Sequence, residues 1–186
     1  LGFNVNHVPV DGYGMVDPGN LEKIVSDKTI LISIMYANGE IGTIEPIAEI
    51  GKIAHAHGAL LHVDAVAAAG RIPIDVVKDN IDMLSLSSND LYGPKGVGAL
   101  YVKGGIRIAP IIIGGGQERG LRSGTENVPA IVGMGKAAEI AVQAMADESA
   151  LITRLRDRLH AEIASEIPYS YLNGHPTARL PNNLNM

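Results

Sequence analysis

Cysteine is absent from the 186-residue sequence. Its absence excludes a disulfide framework, a thiolate metal cluster and a thiol nucleophile within these residues. The sequence also lacks the apolar run of about 18 to 20 residues that a membrane-spanning helix requires, and it does not open with a signal-peptide pattern. We therefore expect a cytoplasmic protein without a membrane partner.

Basic residues are in the minority. The 15 Lys and Arg residues stand against 20 Asp and Glu residues, which gives a formal net charge of −5 and argues against a nucleic-acid-binding surface. Hydrophobic residues make up 46% of the chain, enough for the core of one domain, or of one domain and part of another. Because the chain does not begin with methionine and neither end has a polar tail, we expect an internal piece of a longer protein. A compact domain with abrupt ends is the alternative.

Short apolar runs alternate with helical patterns over the first 100 residues. These runs predict strands at residues 3–8, 29–35, 59–63, 81–86 and 97–102, and a further one at 108–113. Pro46 stands at a possible first helical position and Gly58 at a helix stop. The apolar stripe between them has helical spacing and consists of Ile47, Ile50, Ile53 and Ala54. The strand–helix–strand order predicts crossover connections, and hence an α/β fold with a mostly parallel sheet.

The pattern changes in the last third of the sequence. A long helix is predicted from about residue 128, with a break at 147–149. Beyond that break, apolar residues spaced four apart predict a buried stripe that consists of Leu151, Leu155, Leu159 and Ile163. Arg154, Arg156 and Arg158 fall on other faces, where we expect them to be solvated. A helix followed by the beginning of a strand near residue 182 predicts that a second, α+β domain starts at about residue 144.

Polar and glycine-rich segments follow the predicted strands. In an open parallel sheet, ligands bind beyond the carboxyl ends of the strands. Four segments are predicted to lie there: 38–40, Asp64, 87–90 and 114–125. The glycine spacing of 114–120 does not fit a dinucleotide-binding motif, and that of 93–98 does not fit a P-loop. The sequence therefore points to a site at this edge of the sheet that is not of either nucleotide-binding type.

The histidines show no metal-binding pattern. His55 and His57 stand two residues apart near a predicted helix end, a spacing that does not place both on one helical face, so we expect them to be exposed. His62 shares a strand face with Asp64, and we interpret it as a structural residue. No metal site is predicted.

Four longer motifs resemble a known family. They read Asn-Gly-Glu-Ile-Gly-Thr at 38–43, His-Val-Asp-Ala at 62–65, Ser-Leu-Ser-Ser-Asn-Asp-Leu-Tyr-Gly-Pro-Lys-Gly at 85–96, and Gly-Gly-Gly-Gln-Glu-Arg-Gly-Leu-Arg-Ser-Gly-Thr at 114–125. Through essentially the whole chain, the sequence resembles cysteine desulfurases of the NifS/IscS type. These belong to the aminotransferase class V superfamily and are related to selenocysteine lyase. The resemblance implies the type I aspartate aminotransferase fold of PLP-dependent transferases. Residues 1–143 would be part of the large cofactor-binding domain, and 144–186 an interdomain helix and the start of the small C-terminal domain.

The resemblance also implies a cofactor and partners. Members of this family are homodimers that bind pyridoxal 5′-phosphate, take sulfur from cysteine and carry it as a persulfide on a loop cysteine, which here would lie outside the sequence. An iron–sulfur scaffold protein is the implied acceptor of sulfur or of a cluster. By motif position, Asp64 matches the carboxylate on the pyridine nitrogen and Ser87 a phosphate-binding hydroxyl. Thr125 matches the threonine that reaches the phosphate of the partner subunit.

Four positions depart from the family pattern. Asn89 stands at the position of a histidine that contacts the cofactor and is itself expected to be a cofactor-binding residue, whereas Asp90 replaces the lysine that forms the Schiff base. Gly39 and Ala67 replace an asparagine and a glutamine that contact the ring hydroxyl. A carboxylate cannot form an imine, and Lys95 matches a second lysine of the motif rather than the missing one. The Ser-Ser-Asn-Asp segment is similar to archaeal-type homologues that lack the lysine, so we interpret Asp90 as genuine.

Three functions are compatible with these residues. The first is a desulfurase-family protein of sulfur mobilisation and iron–sulfur cluster assembly that has impaired or lost pyridoxal chemistry. The second is an active PLP-dependent cysteine desulfurase or selenocysteine lyase. The third is a non-catalytic dimeric scaffold or interaction protein.

Overall fold

The computed structural model describes residues 2–186. The chain forms α1 (Pro18–Ile24), β1 (Leu31–Met35), α2 (Ile47–Ala56), β2 (Leu60–Asp64), β3 (Met83–Ser87), β4 (Gly98–Val102) and α3 (Val128–Glu166). Short 3₁₀ turns lie at Asn89–Leu91 and Glu118–Gly120.

The four strands form one sheet in the order β1-β2-β3-β4. The pairs β1–β2 and β2–β3 are parallel, whereas β4 runs antiparallel to β3. The α/β architecture with a mostly parallel sheet is therefore confirmed. Parallel pairing places the carboxyl ends of β1, β2 and β3 at the same edge, where Met35 lies beside Asp64.

Helix α2 makes the crossover between β1 and β2. Its apolar residues Ile47, Ile50 and Ala54 are buried, as the helical spacing predicts. Pro46 stands at the N-cap position, immediately before the first helical residue, Ile47. After the helix, Gly58 adopts φ 71°, a left-handed conformation that glycine accepts without steric cost. The chain can thereby turn directly into β2.

The core lies on one face of the sheet. Leu61 and Val63 are completely buried there and belong to the same cluster as Ile50. Side chains alternate along a strand, so the neighbouring residues point to the opposite face. On that face, Leu31 is 46% exposed and Leu100 is 48% exposed. Within residues 2–186, this second face of the sheet is therefore largely uncovered, although Met83 on it is buried.

Two of the predicted strands are wrong. Residues 3–8 are irregular, and residues 108–113 contain only an isolated bridge between Ile112 and Arg122. An apolar run becomes a strand only where a neighbouring strand accepts its backbone hydrogen bonds. Neither segment has such a neighbour in the described part of the chain.

Helix α3 differs from its prediction in three ways. It runs unbroken through residues 147–149, which corrects the predicted break. The predicted buried stripe is largely exposed, with Leu151, Leu155 and Leu159 each about half accessible. Arg156 is not solvated: its side chain is 11% exposed and donates to the Leu180 carbonyl at 2.8 Å.

No helix within residues 2–186 is long and apolar enough to cross a bilayer.

The segment after α3 contains no regular strand, so the strand predicted near residue 182 is also wrong. Instead, residues 173–185 pack against the loop that follows β1. The amide of Leu180 donates to the Gly42 carbonyl at 2.8 Å, and the amide of Ile44 donates to the Ala178 carbonyl at 2.9 Å. The division into two domains near residue 144 stays a prediction, and that position lies inside α3.

Candidate functional site

Three predicted site segments lie at one edge of the sheet. The loop 38–43 follows β1, Asp64 ends β2, and residues 87–90 begin with Ser87, the last residue of β3. We call this edge, formed by residues 38–43, 64–67 and 87–90, the rim. The parallel pairing of the three strands, with Asp64 opposite Ser85, brings these segments side by side.

Asp64 presents a carboxylate at the centre of the rim. Its backbone carbonyl accepts a hydrogen bond from the Tyr36 amide at 2.7 Å, which ties the ends of β2 and β1 together. Its Oδ1 atom accepts the amide of Val66 at 3.0 Å. Oδ2 makes no protein hydrogen bond within residues 2–186, and the residue is exposed. One carboxylate oxygen is therefore available to a ligand.

The turn after β3 holds Asn89 and Asp90. It is a 3₁₀ turn fixed by the buried Leu91 and by two bonds to the Ser88 carbonyl, from the amides of Leu91 at 3.1 Å and Gly93 at 2.8 Å. Asn89 is exposed, whereas Asp90 is half-buried. The side chains of Asn89 and Asp90 are therefore attached to a backbone whose conformation is fixed by hydrogen bonds.

Arg71 supports the same turn. Its Nη1 atom donates to the Asp90 carbonyl at 3.0 Å, and its guanidinium lies 5.5 Å from the centre of the Tyr92 ring. Tyr92 adopts a left-handed φ of 61°, a conformation that costs free energy for a residue with a side chain. Arg71, Asp90 and Tyr92 line an open cleft of about 210 Å³ against α3.

The loop after β1 brings two of the altered positions together. Asn38 accepts the amides of Glu40 at 2.8 Å and Ile41 at 3.1 Å through its side-chain oxygen, which closes the turn. A Cβ atom placed on Gly39 would lie 3.6 Å from the Cβ of Ala67, an ordinary contact distance. Gly39 and Ala67 are therefore neighbours, as expected if both positions face one ligand atom.

Thr125 stands apart from the other predicted site residues. It is exposed and makes no hydrogen bond within residues 2–186. The glycine-rich loop before it is held by its own side chains, with the Gly116 amide on Ser123 Oγ at 3.2 Å and the Gly124 amide on Gln117 Oε1 at 2.9 Å. No contact within the described chain joins Thr125 to Asp64 or Ser87.

Two of the histidines, His62 and His55, have structural partners. His62 lies between two hydroxyl groups, with Nδ1 at 2.8 Å from Ser33 Oγ and Nε2 at 2.9 Å from Ser85 Oγ, and so links three strands. This bonding agrees with the interpretation of His62 as structural. His55, which we expected to be merely exposed, contacts the buried Asp82 at 2.8 Å. Residues 2–186 contain no group of acidic or histidine side chains that could hold a metal ion.

The sequence analysis did not predict the side chains of Asn183 and Arg179 as hydrogen-bond donors to the rim loop. Asn183 donates to the carbonyl oxygens of Gly39 at 2.8 Å and Glu40 at 3.0 Å, and Arg179 donates to that of Ile41 at 3.1 Å. These contacts join residues about 140 positions apart. The cluster of asparagines at 182–185 was the available signal.

Comparison with known proteins places this geometry in a family. The family model for aminotransferase class V matches residues 1–186. This chain belongs to the aminotransferase class V family. It is 57% identical over 185 residues to a protein of Archaeoglobus fulgidus named cysteine desulfurase IscS 1, covering 100% of this chain and 48% of that protein. It is 55% identical to the cysteine desulfurase IscS of Methanosarcina thermophila, of which it covers 46%.

A solved structure has the same fold. A NifS-like protein superposes with a TM-score of 0.93 at 43% sequence identity, over 98% of this chain and 50% of that one. The chain thus spans about half the length of the class V relatives that it matches. The fold is that of NifS-like members of the PLP-dependent aminotransferases.

Proposed function

We propose that the protein takes part in sulfur mobilisation and iron–sulfur cluster assembly without holding pyridoxal phosphate covalently. The observation that carries the proposal is Asp90, on the rigid turn after β3, at the position where the family motif has its Schiff-base lysine. In this view, the protein holds sulfur or a cluster and hands it on, and it does not itself cleave the carbon–sulfur bond of cysteine.

The donor groups at the rim do not fit covalent pyridoxal binding. Asp90 offers a carboxylate, which cannot form an imine with an aldehyde. Gly39 has no side chain and Ala67 ends in a methyl group, so neither side chain can donate a hydrogen bond to a ring hydroxyl. Asp64, Ser87 and, from a partner subunit, Thr125 retain groups suited to the pyridine nitrogen and the phosphate. None of them supplies a covalent bond to the cofactor.

The retained groups are suited to a small charged ligand. The free Oδ2 atom of Asp64 makes no ion pair within residues 2–186. A carboxylate in this situation favours a cationic group, because an opposite charge stabilises its ionised form. The ammonium group of L-cysteine supplies that cation. We therefore propose cysteine as the ligand of the rim.

The proposal includes a homodimer in the cytoplasm. The glycine-rich loop 114–125 is exposed, and the side chains around it include Ile111 and Ile113, which are 95% and 85% exposed. Such apolar exposure is typical of an interface. Thr125 would then contact the site of the partner subunit. An iron–sulfur scaffold protein would accept the sulfur or the cluster, and the sulfur-carrying cysteine would come from outside this chain.

Asp64 and Ser87 also favour a second candidate, an active PLP-dependent cysteine desulfurase or selenocysteine lyase. Both residues occupy the end positions of their strands, as pyridine and phosphate ligands would. This candidate requires another amine to replace the lysine. Lys95 is exposed and lies five residues beyond Asp90, across a Gly-Pro turn.

A borohydride experiment separates the two candidates. The full-length protein is incubated with pyridoxal phosphate, reduced with borohydride and examined by mass spectrometry, while alanine release from L-cysteine is measured in parallel. We expect no protein-bound pyridoxyl label and no alanine. The variant Asp90→Lys should gain the label at residue 90. The amount of label should increase when Asp90→Lys is combined with Gly39→Asn and Ala67→Gln. A Cβ atom at position 39 would lie 3.6 Å from the Cβ of Ala67, so the backbone accepts a side chain there.

A matched control identifies the labelled amine. Lys95→Arg removes the nearest alternative lysine in the sequence motif and should leave the result for Asp90→Lys unchanged. A pyridoxyl label on the unsubstituted protein that disappears in Lys95→Arg, together with alanine release, would establish the active enzyme and refute the proposal.

A further inference from the structure

Four consecutive backbone carbonyls of the rim loop accept hydrogen bonds from one distant segment. We call residues 173–185 the clamp segment. Asn183 Nδ2 donates to Gly39 and Glu40, and Arg179 Nη2 donates to Ile41. The Glu40 carbonyl also accepts from Asn185 Nδ2 at 2.9 Å, and the Gly42 carbonyl accepts from a clamp-segment amide. The backbone direction of residues 39–42 is thereby fixed from outside the loop.

Arg179 is the buried centre of this arrangement. Its accessible surface is 5%, and within residues 2–186 no carboxylate lies within ion-pair distance of its guanidinium. The group instead contacts oxygen atoms, namely the Asn173 carbonyl and Asn183 Oδ1, each at 3.2 Å, besides the Ile41 carbonyl. Burial, followed by the nearby charge of Arg156, lowers its pKa. A buried charge without a counter-ion costs free energy, and the oxygen atoms that the guanidinium contacts offset part of that cost.

The two segments also meet too closely for side chains at the contact. A Cβ atom on Gly174 would lie 2.1 Å from the Ile41 carbonyl oxygen, and one on Gly42 would lie 2.7 Å from Asn183 Oδ1. Both glycines have left-handed φ angles, 77° and 82°. The clamp segment and the rim loop therefore fit each other in one specific arrangement.

We infer that Arg179 and Asn183 are positioning residues that hold the rim loop so that Gly39 stays against Ala67. This inference rests on the proposed function in so far as the rim binds cysteine. In this proposal neither Arg179 nor Asn183 touches the ligand. They act through the backbone of residues 39–41, and their loss should loosen the loop before it unfolds the sheet.

The test uses the full-length protein with Arg179→Lys and Asn183→Asp. Lysine keeps the charge but loses the fork that reaches several oxygens at once. Aspartate cannot donate to the carbonyls of Gly39 and Glu40, although it adds a counter-charge beside Arg179. A role in stability alone predicts that both substitutions accelerate exchange throughout the sheet, whereas positioning predicts acceleration confined to residues 38–43. The matched controls are Arg154→Lys and Asn182→Asp, at exposed residues without side-chain hydrogen bonds within residues 2–186.

Amide hydrogen exchange of residues 38–43 is the main measurement. We expect it to accelerate about tenfold in both clamp variants, as the loss of one or two hydrogen bonds implies, with β1 and β2 unchanged. The NMR amide signals of Gly39 and Ala67 should shift in the same variants and not in the controls. Unchanged exchange in the loop, or equal acceleration throughout the sheet, would overturn the inference.

A second measurement separates this inference from the proposed function. Binding of L-cysteine, followed by calorimetry, should weaken several-fold in the clamp variants. If the unsubstituted protein does not bind cysteine, the proposed ligand is wrong, and the exchange measurement still decides whether the clamp positions the loop.

Discussion

The end of the sheet opposite the rim contains a buried carboxylate whose replacement has a calculable effect. Asp82 is 2% exposed. Its Oδ2 atom accepts the Leu61 amide at 2.9 Å and His55 Nε2 at 2.8 Å, and its Oδ1 atom accepts Lys103 Nζ at 3.2 Å. These bonds join α2, β2 and the residue after β4 to the start of β3. We predict that Asp82→Asn loosens this end of the sheet.

The expected magnitude follows from the partners. An asparagine oxygen in the place of Oδ2 can still accept the Leu61 amide and His55 Nε2, so the loss consists of the Lys103 bond and of the negative charge that strengthens the His55 bond. A hydrogen bond to a charged group contributes about 1.5 to 3 kcal/mol. The side chains of His55 and Lys103 are 35% and 53% exposed, so solvent screening reduces that contribution. We expect a net loss of about 2 kcal/mol, or roughly a thirtyfold increase in amide exchange of β2.

The effect should depend on pH in a defined direction. Burial raises the pKa of Asp82, but the bonds from Leu61, His55 and Lys103 outweigh it and leave the pKa below its ordinary value of 3.8. A carboxyl group with a lowered pKa stabilises the fold above its unfolded-state pKa, and this stabilisation is lost as the pH falls through the folded-state value. The difference between Asp82→Asn and the unsubstituted protein should therefore be full at pH 7 and should decrease as the pH falls below 3.8.

Native-state hydrogen exchange of residues 60–64, corrected for intrinsic rates at each pH, measures the effect. Asp27→Asn is the control, because Asp27 is exposed and its side chain makes no hydrogen bond within residues 2–186. A change of less than about threefold at pH 7, or an equal change at pH 7 and pH 3, would refute the reasoning.

Three further substitutions have definite expected outcomes. Burial raises the pKa of Glu45, and the charge of Asp11 adds to this effect while the bond from the Val16 amide opposes it, so ionisation of Glu45 destabilises the fold. Glu45→Gln should therefore raise the free energy of unfolding at pH 7 in urea denaturation, and not below pH 4. Gly174→Ala should lower the melting temperature by several degrees in calorimetry, because its Cβ atom would strike the Ile41 carbonyl; Gly12→Ala, in open space, should not. Tyr92→Leu removes the ring beneath Arg71 and should accelerate amide exchange at residues 89–92 a few-fold, an increase that Tyr92→Phe should not cause.

The strands and α2 were predictable because their signals are local. The runs that became β1 to β4 are short and apolar, and Gly58 marks the point where α2 must end. The position of Asp64 at the rim followed from strand order alone, since parallel strands align their carboxyl ends. These features depend on periodicity and on turn chemistry, both of which can be read within about ten residues.

The errors share a different cause, because each depends on contacts between distant parts of the chain. Residues 108–113 look like a strand but have no partner strand in the described chain. Arg156 falls at a polar helical position, yet its guanidinium reaches Leu180. The hydrogen bond from Arg179 to the Ile41 carbonyl joins residues 138 positions apart, and no local sequence pattern predicts it. Asparagines near the end of the sequence resembled a strand flank and are instead hydrogen-bond donors.

The two ends of the sheet use their charged residues differently, and this difference supports the rim as the site. At the opposite end, Asp82 satisfies both oxygens with an amide and two basic side chains. At the rim, no ion pair within residues 2–186 involves Asp64 or Asp90. Asp64 is exposed, so water solvates its carboxylate and stability does not require a partner for it. Because the clamp segment fixes the neighbouring rim loop, the free Oδ2 atom of Asp64 lies beside a backbone of defined position, which supports the proposal of a cationic ligand.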